Sequence, residues 1–404
     1  MKNALRASRL ALAFALTFAC APAFAQKAYG PGVSDTEIKF GNTMPYSGPA
    51  SSLGTVGKIM SAYFAMINEK GGVNGRKLNM ISLDDGFAPP KTVEAVKRMV
   101  EDDQVAFIYG TMGTAPSSAV AKYLNVNKVP QIFAISSASK WNDPKGMPWS
   151  VALNWAPIYM TEAGIDIRYA LKANPNAKFA VLYQNDDSGK DYMRGINETF
   201  AKDPDRLVKA MSFEVTDPTV DSQVVTLAAT KADVFLIYSV TPRACAQAIR
   251  KAWELGWRPQ RFLSSGCANI DTILKPAGLD ASKDIMTLAS IKPLDLSKKD
   301  PDLEAYVDFI KTRTPGVDPN YSSGEYAYFS AASLVELLKR CGDNLTRENI
   351  MKQATNLTQV PAPLLMPGIK LDTSPDDFTP LHDGYLMRFD GEKFEVVGDM
   401  MKGK

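Results

Sequence analysis

The 404-residue sequence predicts an α/β fold of two doubly wound, parallel-sheet lobes, on three observations. From Ile38 onward, short apolar runs alternate with segments of helical periodicity. Several of those runs are apolar throughout, as in strands buried on both faces of a parallel sheet. The same succession restarts after Pro148-Trp149, which points to two such sheets and not one large one.

Taken in order, Ile38 to Met44 reads as a strand that ends in the turn cluster Pro45-Tyr46-Ser47-Gly48-Pro49. Leu53 to Lys70 reads as a helix closed by Gly71-Gly72. Leu78 to Leu83 is a strand, and Pro89-Pro90 opens a helix that runs to Glu101. Val105 to Tyr109 and Val129 to Ile135 are strands around a helix near Ala115 to Tyr123. In the second half, strands are expected at Phe179 to Tyr183, Val208 to Phe213, Val234 to Tyr238 and Phe262-Leu263. Helices near Lys190 to Phe200, Val220 to Ala229 and Ala244 to Leu255 separate them. A mostly helical block follows, with Gly324 to Arg340 closed by Cys341-Gly342 and a further helix opened at Thr346. The chain ends in two strands around Asp390-Gly391, a hairpin signal.

Composition narrows the function. Lys2, Arg6 and Arg9, the apolar run Leu10 to Ala19 and the motif Ala23-Phe24-Ala25 read as a cleavable secretory leader over residues 1–25. That run is shorter than the roughly 20 residues a membrane span needs. Lipidation at Cys20 is disfavoured by the poor approach Thr17-Phe18-Ala19. Losing three cations and no acid takes the formal charge from +2 to −1. Such a near-neutral chain has no field suited to nucleic acid or an anionic membrane. His382 is the single histidine, which excludes multi-histidine metal sites and leaves little for acid–base catalysis. No Gly-x-Ser-x-Gly motif is present. The reading is a binding protein without cofactor, and not an enzyme.

Several residues are placed to bind something. Gly110-Thr111-Met112-Gly113-Thr114 joins a strand to a helix but lacks both the third glycine of a dinucleotide loop and the lysine of a P-loop. Free N–H groups at such a helix entry favour an anion, and Ser136-Ser137 after the next strand forms a second grip; close packing is the alternative use of these glycines. The pairs Asp84-Asp85 and Asp186-Asp187 read as loop and cap residues more readily than as a metal site. Trp141, Trp149, Trp155 and Tyr159 gather near the lobe junction, to line a cleft or to pack a hinge. Cys245 and Cys267 fall near the ends of successive strands, within reach of a disulfide; two small buried residues is the other reading.

The stretches "IKFGNTMPYSGPASSLG", "INEKGGVNGRKLNMISLDDGFAPPKTVEAVKRMV" and "VLYQNDDSGKDYMRG" resemble the periplasmic receptors for leucine, isoleucine and valine. So do "VTDPTVDSQVVTL", "AQAIRKAWELGW" and "RCGDNLTRENIMKQATNL", and the likeness runs from about Ile38 to Asp399. The resemblance implies the type I periplasmic-binding fold, with three crossovers and the ligand shut between the lobes. The crossovers fall near Pro148-Trp149, Ile285 to Ala289 and Met366 to Gly368. The first lobe then takes residues 26–149 and 288–366, and the second 150–287 and 367–404.

By the same resemblance, the ligand-binding set is Leu53, Met112, Gly113, Thr114, Ala115, Ser136, Ser137, Ser188, Tyr238, Ser265 and Tyr326. Thr114, Ala115, Ser136 and Ser137 match positions that grip the ligand carboxylate. Leu53 and Ser188 stand where relatives carry aromatics, and Ser265 or Gly266 where they carry the acid that pairs with an ammonium. An ammonium without a counter-charge is costly to bury, so a carboxylate with an apolar or aromatic body is expected over an α-amino acid. Glu325, beside Tyr326, is the acid that would rescue an ammonium. The expected setting is a periplasmic monomer that serves the membrane permease of an ABC importer, with a ligand-sensing receptor domain as the alternative.

Overall fold

The computed structural model describes residues 27–403 apart from 154, 296, 298 and 322; the expected leader lies outside the described residues. After a short strand β1 (Ala28–Tyr29), the first sheet is laid down by β2 (Glu37–Met44), β3 (Lys77–Asp84), β4 (Ile108–Tyr109), β5 (Gln131–Ala134) and β6 (Ser150–Ala152). These five are parallel, in the order β3-β2-β4-β5-β6. Helices α1 (Gly54–Glu69), α2 (Pro89–Glu101) and α3 (Thr114–Val126) make the crossovers.

The second sheet takes β7 (Phe179–Gln184), β8 (Leu207–Phe213), β9 (Val234–Tyr238), β10 (Gln260–Leu263) and β11 (Met286–Ala289), all parallel. Helices α4 (Tyr159–Ala173), α5 (Asp187–Thr199), α6 (Asp221–Ala228) and α7 (Pro242–Glu254) belong to this half. Between β11 and the C-terminal hairpin, α8 (Pro301–Arg313) and α9 (Gly324–Cys341) return to pack on α1. Strand β12 (Asn344–Leu345) pairs with β1, and α10 (Arg347–Ala354) follows. The hairpin β13 (Gly384–Phe389) and β14 (Phe394–Met401) joins β11 antiparallel, so the second sheet is mixed and not wholly parallel. Asp390 makes its turn by accepting from the amides of Glu392 and Lys393 at 2.7 and 2.8 Å.

Local chemistry explains the boundaries. β5 and β9 are buried along their whole length, which is why they carry no polar alternation. Proline at the first turn opens α2, α7 and α8, where its missing N–H costs nothing. Asp186 caps α5 by accepting from the amides of Ser188 and Gly189.

Three segments link the two sheets side by side. The amide of Ser290 donates to the carbonyl of Trp155 at 2.9 Å, and that of Met366 to the carbonyl of Ser290 at 2.9 Å. β6 ends at Ala152 and β11 at Ala289, and the chain leaves the first sheet after the one and the second sheet after the other.

Cys245, in the first turn of α7, and Cys267, just after β10, form a disulfide with an α-carbon separation of 6.5 Å. Cys341 is a buried free thiol. Protein that starts after residue 25 is therefore expected to show one thiol when denatured without reductant and three after reduction. Closing this 22-residue separation should contribute about 3 kcal/mol. Three thiols without reductant, in protein recovered from an oxidising compartment, would contradict the bridge.

Candidate functional site

In open α/β sheets, ligands sit beyond the carboxyl ends of the strands where strand order reverses. Order reverses between β2 and β4 in the first sheet and between β7 and β9 in the second. Between those two points lies a cavity walled by Leu53, Phe87, Met112, Gly113, Ile135, Trp155, Tyr159, Val240 and Gly266. It spans about 320 Å³ of non-atom space, the open solvent at its mouth included. Gly113 has φ +95°, and a β-carbon there would lie 2.4 Å from the Phe87 ring, so glycine alone fits.

The α3 entry carries the polar end. Its first N–H groups have no partner within the helix. Thr114 Oγ1 lies 2.7 Å from Ser136 Oγ and 3.4 Å from the Tyr159 hydroxyl. Ser136 Oγ also accepts from Trp141 Nε1 at 2.8 Å and from the Ala138 amide at 3.2 Å. A hydroxyl has one proton and two lone pairs, so Ser136 must donate to Thr114. The proton of Thr114 is thereby left for another acceptor.

The other expected residues divide between the cavity and the surrounding core. Leu53, Met112 and Gly113 line the cavity, and Ala115 is partly exposed in the first turn of α3. Ser136 and Ser137 instead border a separate recess with Trp141, Leu153 and Phe378. Ser188 is buried, with its amide and hydroxyl both spent on Asp186. Tyr238 does not reach the cleft: it stacks on Tyr192 at 4.0 Å and donates to Asp166 at 3.0 Å, deep in the core. Tyr326 is likewise fully buried, donating to the carbonyl of Leu153 at 2.8 Å and backing Trp155 at 4.3 Å. Among the aspartates, Asp84 and Asp85 hold loop groups of Ser47, Phe87 and Thr92. Asp187 and Asp191 reach across to the first half, to Lys140 at 2.9 Å and Ser139 at 2.6 Å. His382 is part-exposed, 3.5 Å from Asp377.

Sequence reading missed Glu162. This wholly buried acid accepts from the Tyr192 hydroxyl at 2.6 Å, the Ser265 amide at 2.7 Å and the Ser265 hydroxyl at 3.0 Å. Burial pushes its carboxyl up to about 7 against those donors, and holds nearby Asp166 well above the usual range. Tyr159, Glu162 and Asp166 recur at i, i+3 and i+7 on one face of α4, a polar stripe on an otherwise apolar face. That spacing was the available signal. Ser265 thus supports the Gly266 wall of the cavity and itself lines an adjoining compartment, with the acid behind it.

A second compartment adjoins the first, sharing Trp155 and Gly266 as walls. Glu325 lines it, and burial pushes that carboxyl up to about 8. Among the described residues, no group of histidine, cysteine and acids is arranged to hold a metal, and no helix is long and apolar enough to cross a membrane.

Comparison with known proteins agrees with this architecture. The profile of the family described as "Periplasmic binding protein" matches residues 37–393, and the chain belongs to that family. A Leu/Ile/Val-binding protein homolog 3 of Brucella melitensis is 26% identical over 188 residues, 45% of this chain and 47% of that protein, about half its length. A branched-chain amino acid ABC transporter protein of Thermus thermophilus with bound valine superposes with a TM-score of 0.80 at 14% identity, over 92% of this chain and 97% of its own. A fatty acid ABC transporter substrate-binding protein of Thermomonospora curvata gives 0.74 at 21% identity, over 93% and 95%. These likenesses establish the type I periplasmic-binding fold.

Proposed function

We propose that this periplasmic binding protein captures a small carboxylate with an apolar or aromatic body between its lobes and delivers it to the permease of an ABC importer. The observation that carries the reading is the cavity at the two switch points, apolar along Leu53, Phe87, Met112 and Trp155 and closed at one end by the α3 entry. Gly113 brings the α3 entry into the cavity wall, and Thr114, buried behind it beside the Tyr159 hydroxyl, and the helix N–H groups suit a carboxylate. The ligands named for the relatives share that chemistry: leucine, isoleucine, valine and fatty acids are all carboxylates on apolar bodies. Among the described residues no acid lines this cavity to pair an ammonium, since Glu162 lies behind Ser265. Closure about the three linking segments would shut the ligand in, and the Asp187–Lys140 and Asp191–Ser139 contacts would latch the rim. Residues 1–25 would direct the chain to the periplasm.

Thermal-shift screening across amino acids and aromatic acids tests this. At a hundredfold excess over Kd, a true ligand stabilises by about 2.7 kcal/mol. Calorimetry is expected to show 3-phenylpropanoate binding more tightly than leucine, one to one, and weakening roughly tenfold (~1.4 kcal/mol) in Thr114→Val. Tight leucine binding that collapses in Glu325→Gln would overturn the reading.

A further inference from the structure

We propose that the ligand space continues past Trp155 into the hinge-side compartment, where Asn269, Thr287 and Glu325 bind a neutral hydroxyl such as a phenol. This rests on the reading above, in which the ligand's body lies along Trp155. The compartment spans about 790 Å³ of non-atom space, the open solvent at its mouth included, with Ile270, Leu288, Ile291 and Leu294 among its apolar walls.

Three of its lining residues each carry a buried polar atom with no hydrogen-bonding partner among the described residues: Asn269 Nδ2, Thr287 Oγ1 and Glu325 Oε2. The residues are 4%, 2% and 4% exposed. Buried polar groups are nearly always paired, and three of the nine such orphans among the described residues belong to residues of this one wall, where a bound hydroxyl would satisfy them. They come from different elements, Thr287 from β11 and Glu325 from the first turn of α9, which argues against a single local misfit. Asn269 is held by its other atom: Oδ1 accepts from the Thr272 amide at 2.8 Å, leaving the NH₂ unspent.

The set is neutral overall. With its carboxyl pushed up to about 8, Glu325 keeps its proton at neutral pH and both donates and accepts. Lys292 also lines the space, but its ammonium is held by Asp300 and Asp302 at 2.8 and 2.9 Å. A second carboxylate on the ligand would meet no free cation among the described lining residues. A hydroxyl, donor and acceptor at once, matches an amide donor, a hydroxyl and a protonated acid.

Calorimetry with p-cresol, which has the hydroxyl and no carboxylate, tests the compartment apart from the carboxylate grip. Its partner is the pair 3-phenylpropanoate and 3-(4-hydroxyphenyl)propanoate. We expect p-cresol to bind and to weaken at least tenfold in Thr287→Val and in Glu325→Leu. The hydroxylated acid should bind at least tenfold more tightly than the plain one. Thr287 has no hydrogen bond to lose and valine matches its shape, so that variant keeps the fold. No p-cresol binding, indifference to Thr287→Val, or equal affinity for the two acids would overturn the proposal. If p-cresol binds as expected while neither acid does, the compartment stands and the carboxylate reading falls. If the acids bind equally and p-cresol not at all, the compartment falls and the carboxylate reading stands.

Discussion

Glu162→Leu is expected to destabilise the protein by roughly 3 kcal/mol and to weaken ligand capture along with it. Leucine fills much of the space of glutamate but accepts nothing. The Ser265 amide, the Ser265 hydroxyl and the Tyr192 hydroxyl would all lose their acceptor in a site closed to water. Each stranded donor costs about 1–3 kcal/mol, and removing a buried acid returns part of that. Glu162→Gln keeps one carbonyl oxygen and should cost less, about 1 kcal/mol. The link to binding is geometric, because Ser265 leads directly into Gly266, which walls both compartments. Urea unfolding of the two variants checks the first part and calorimetry the second. A leucine variant that unfolds with the wild-type midpoint would show that the buried acid contributes nothing to the fold.

Stability is expected to fall as pH rises from about 5.5 to 8.5, by several kcal/mol. The sign follows from proton counts. Glu162 at about 7 and Glu325 at about 8 keep their protons in the folded state well above the pH at which an unfolded glutamate, near 4.5, has released its own. Asp166 is raised as well, by burial and by the field of Glu162, so those two release their protons as a pair. Between the unfolded and folded values the native state binds more protons, and raising the pH draws the equilibrium toward the unfolded chain. Each such proton is worth about 1.4 kcal/mol per pH unit across its window. The carboxyls pulled downward do not oppose this. Asp295, near 2 through Ser297 and Lys393, together with Asp84, Asp300 and Asp390, is ionised in both states above pH 5. Urea midpoints at pH 5.5 and 8.5 measure the drop, and Glu325→Gln should remove a large part of its upper end. A flat or rising profile would mean that these acids ionise freely in the folded protein.

Much of the fold was legible from residues close together in the chain. The apolar runs of β5 and β9, the proline pair that opens α2 and the Asp390 turn all act over a few residues, and all appear where expected. The α3 entry was legible for the same reason, since a glycine-bounded turn before a helix is a local signature.

What a side chain faces was decided only by the assembled structure. Tyr238 ends an apolar strand, yet both faces of β9 are buried and its ring goes to Tyr192 and Asp166 instead of the cleft. Ser265 stood where an acid was missed, and the acid came from Glu162, 103 residues earlier. The disulfide was one of two open readings until α7 and the end of β10 were seen side by side. Asn269, Thr287 and Glu325 share a compartment only because the linking segments fold the second sheet's edge against the start of α9. By itself the sequence determined the succession of strands and helices over most of the chain, because those choices depend on near neighbours, though β6, α4 and β11 were read only from the structure. Tertiary structure alone decided which polar groups are paired, which are stranded and which meet across the cleft, because burial and long-range hydrogen bonding depend on neighbours that the chain order does not specify.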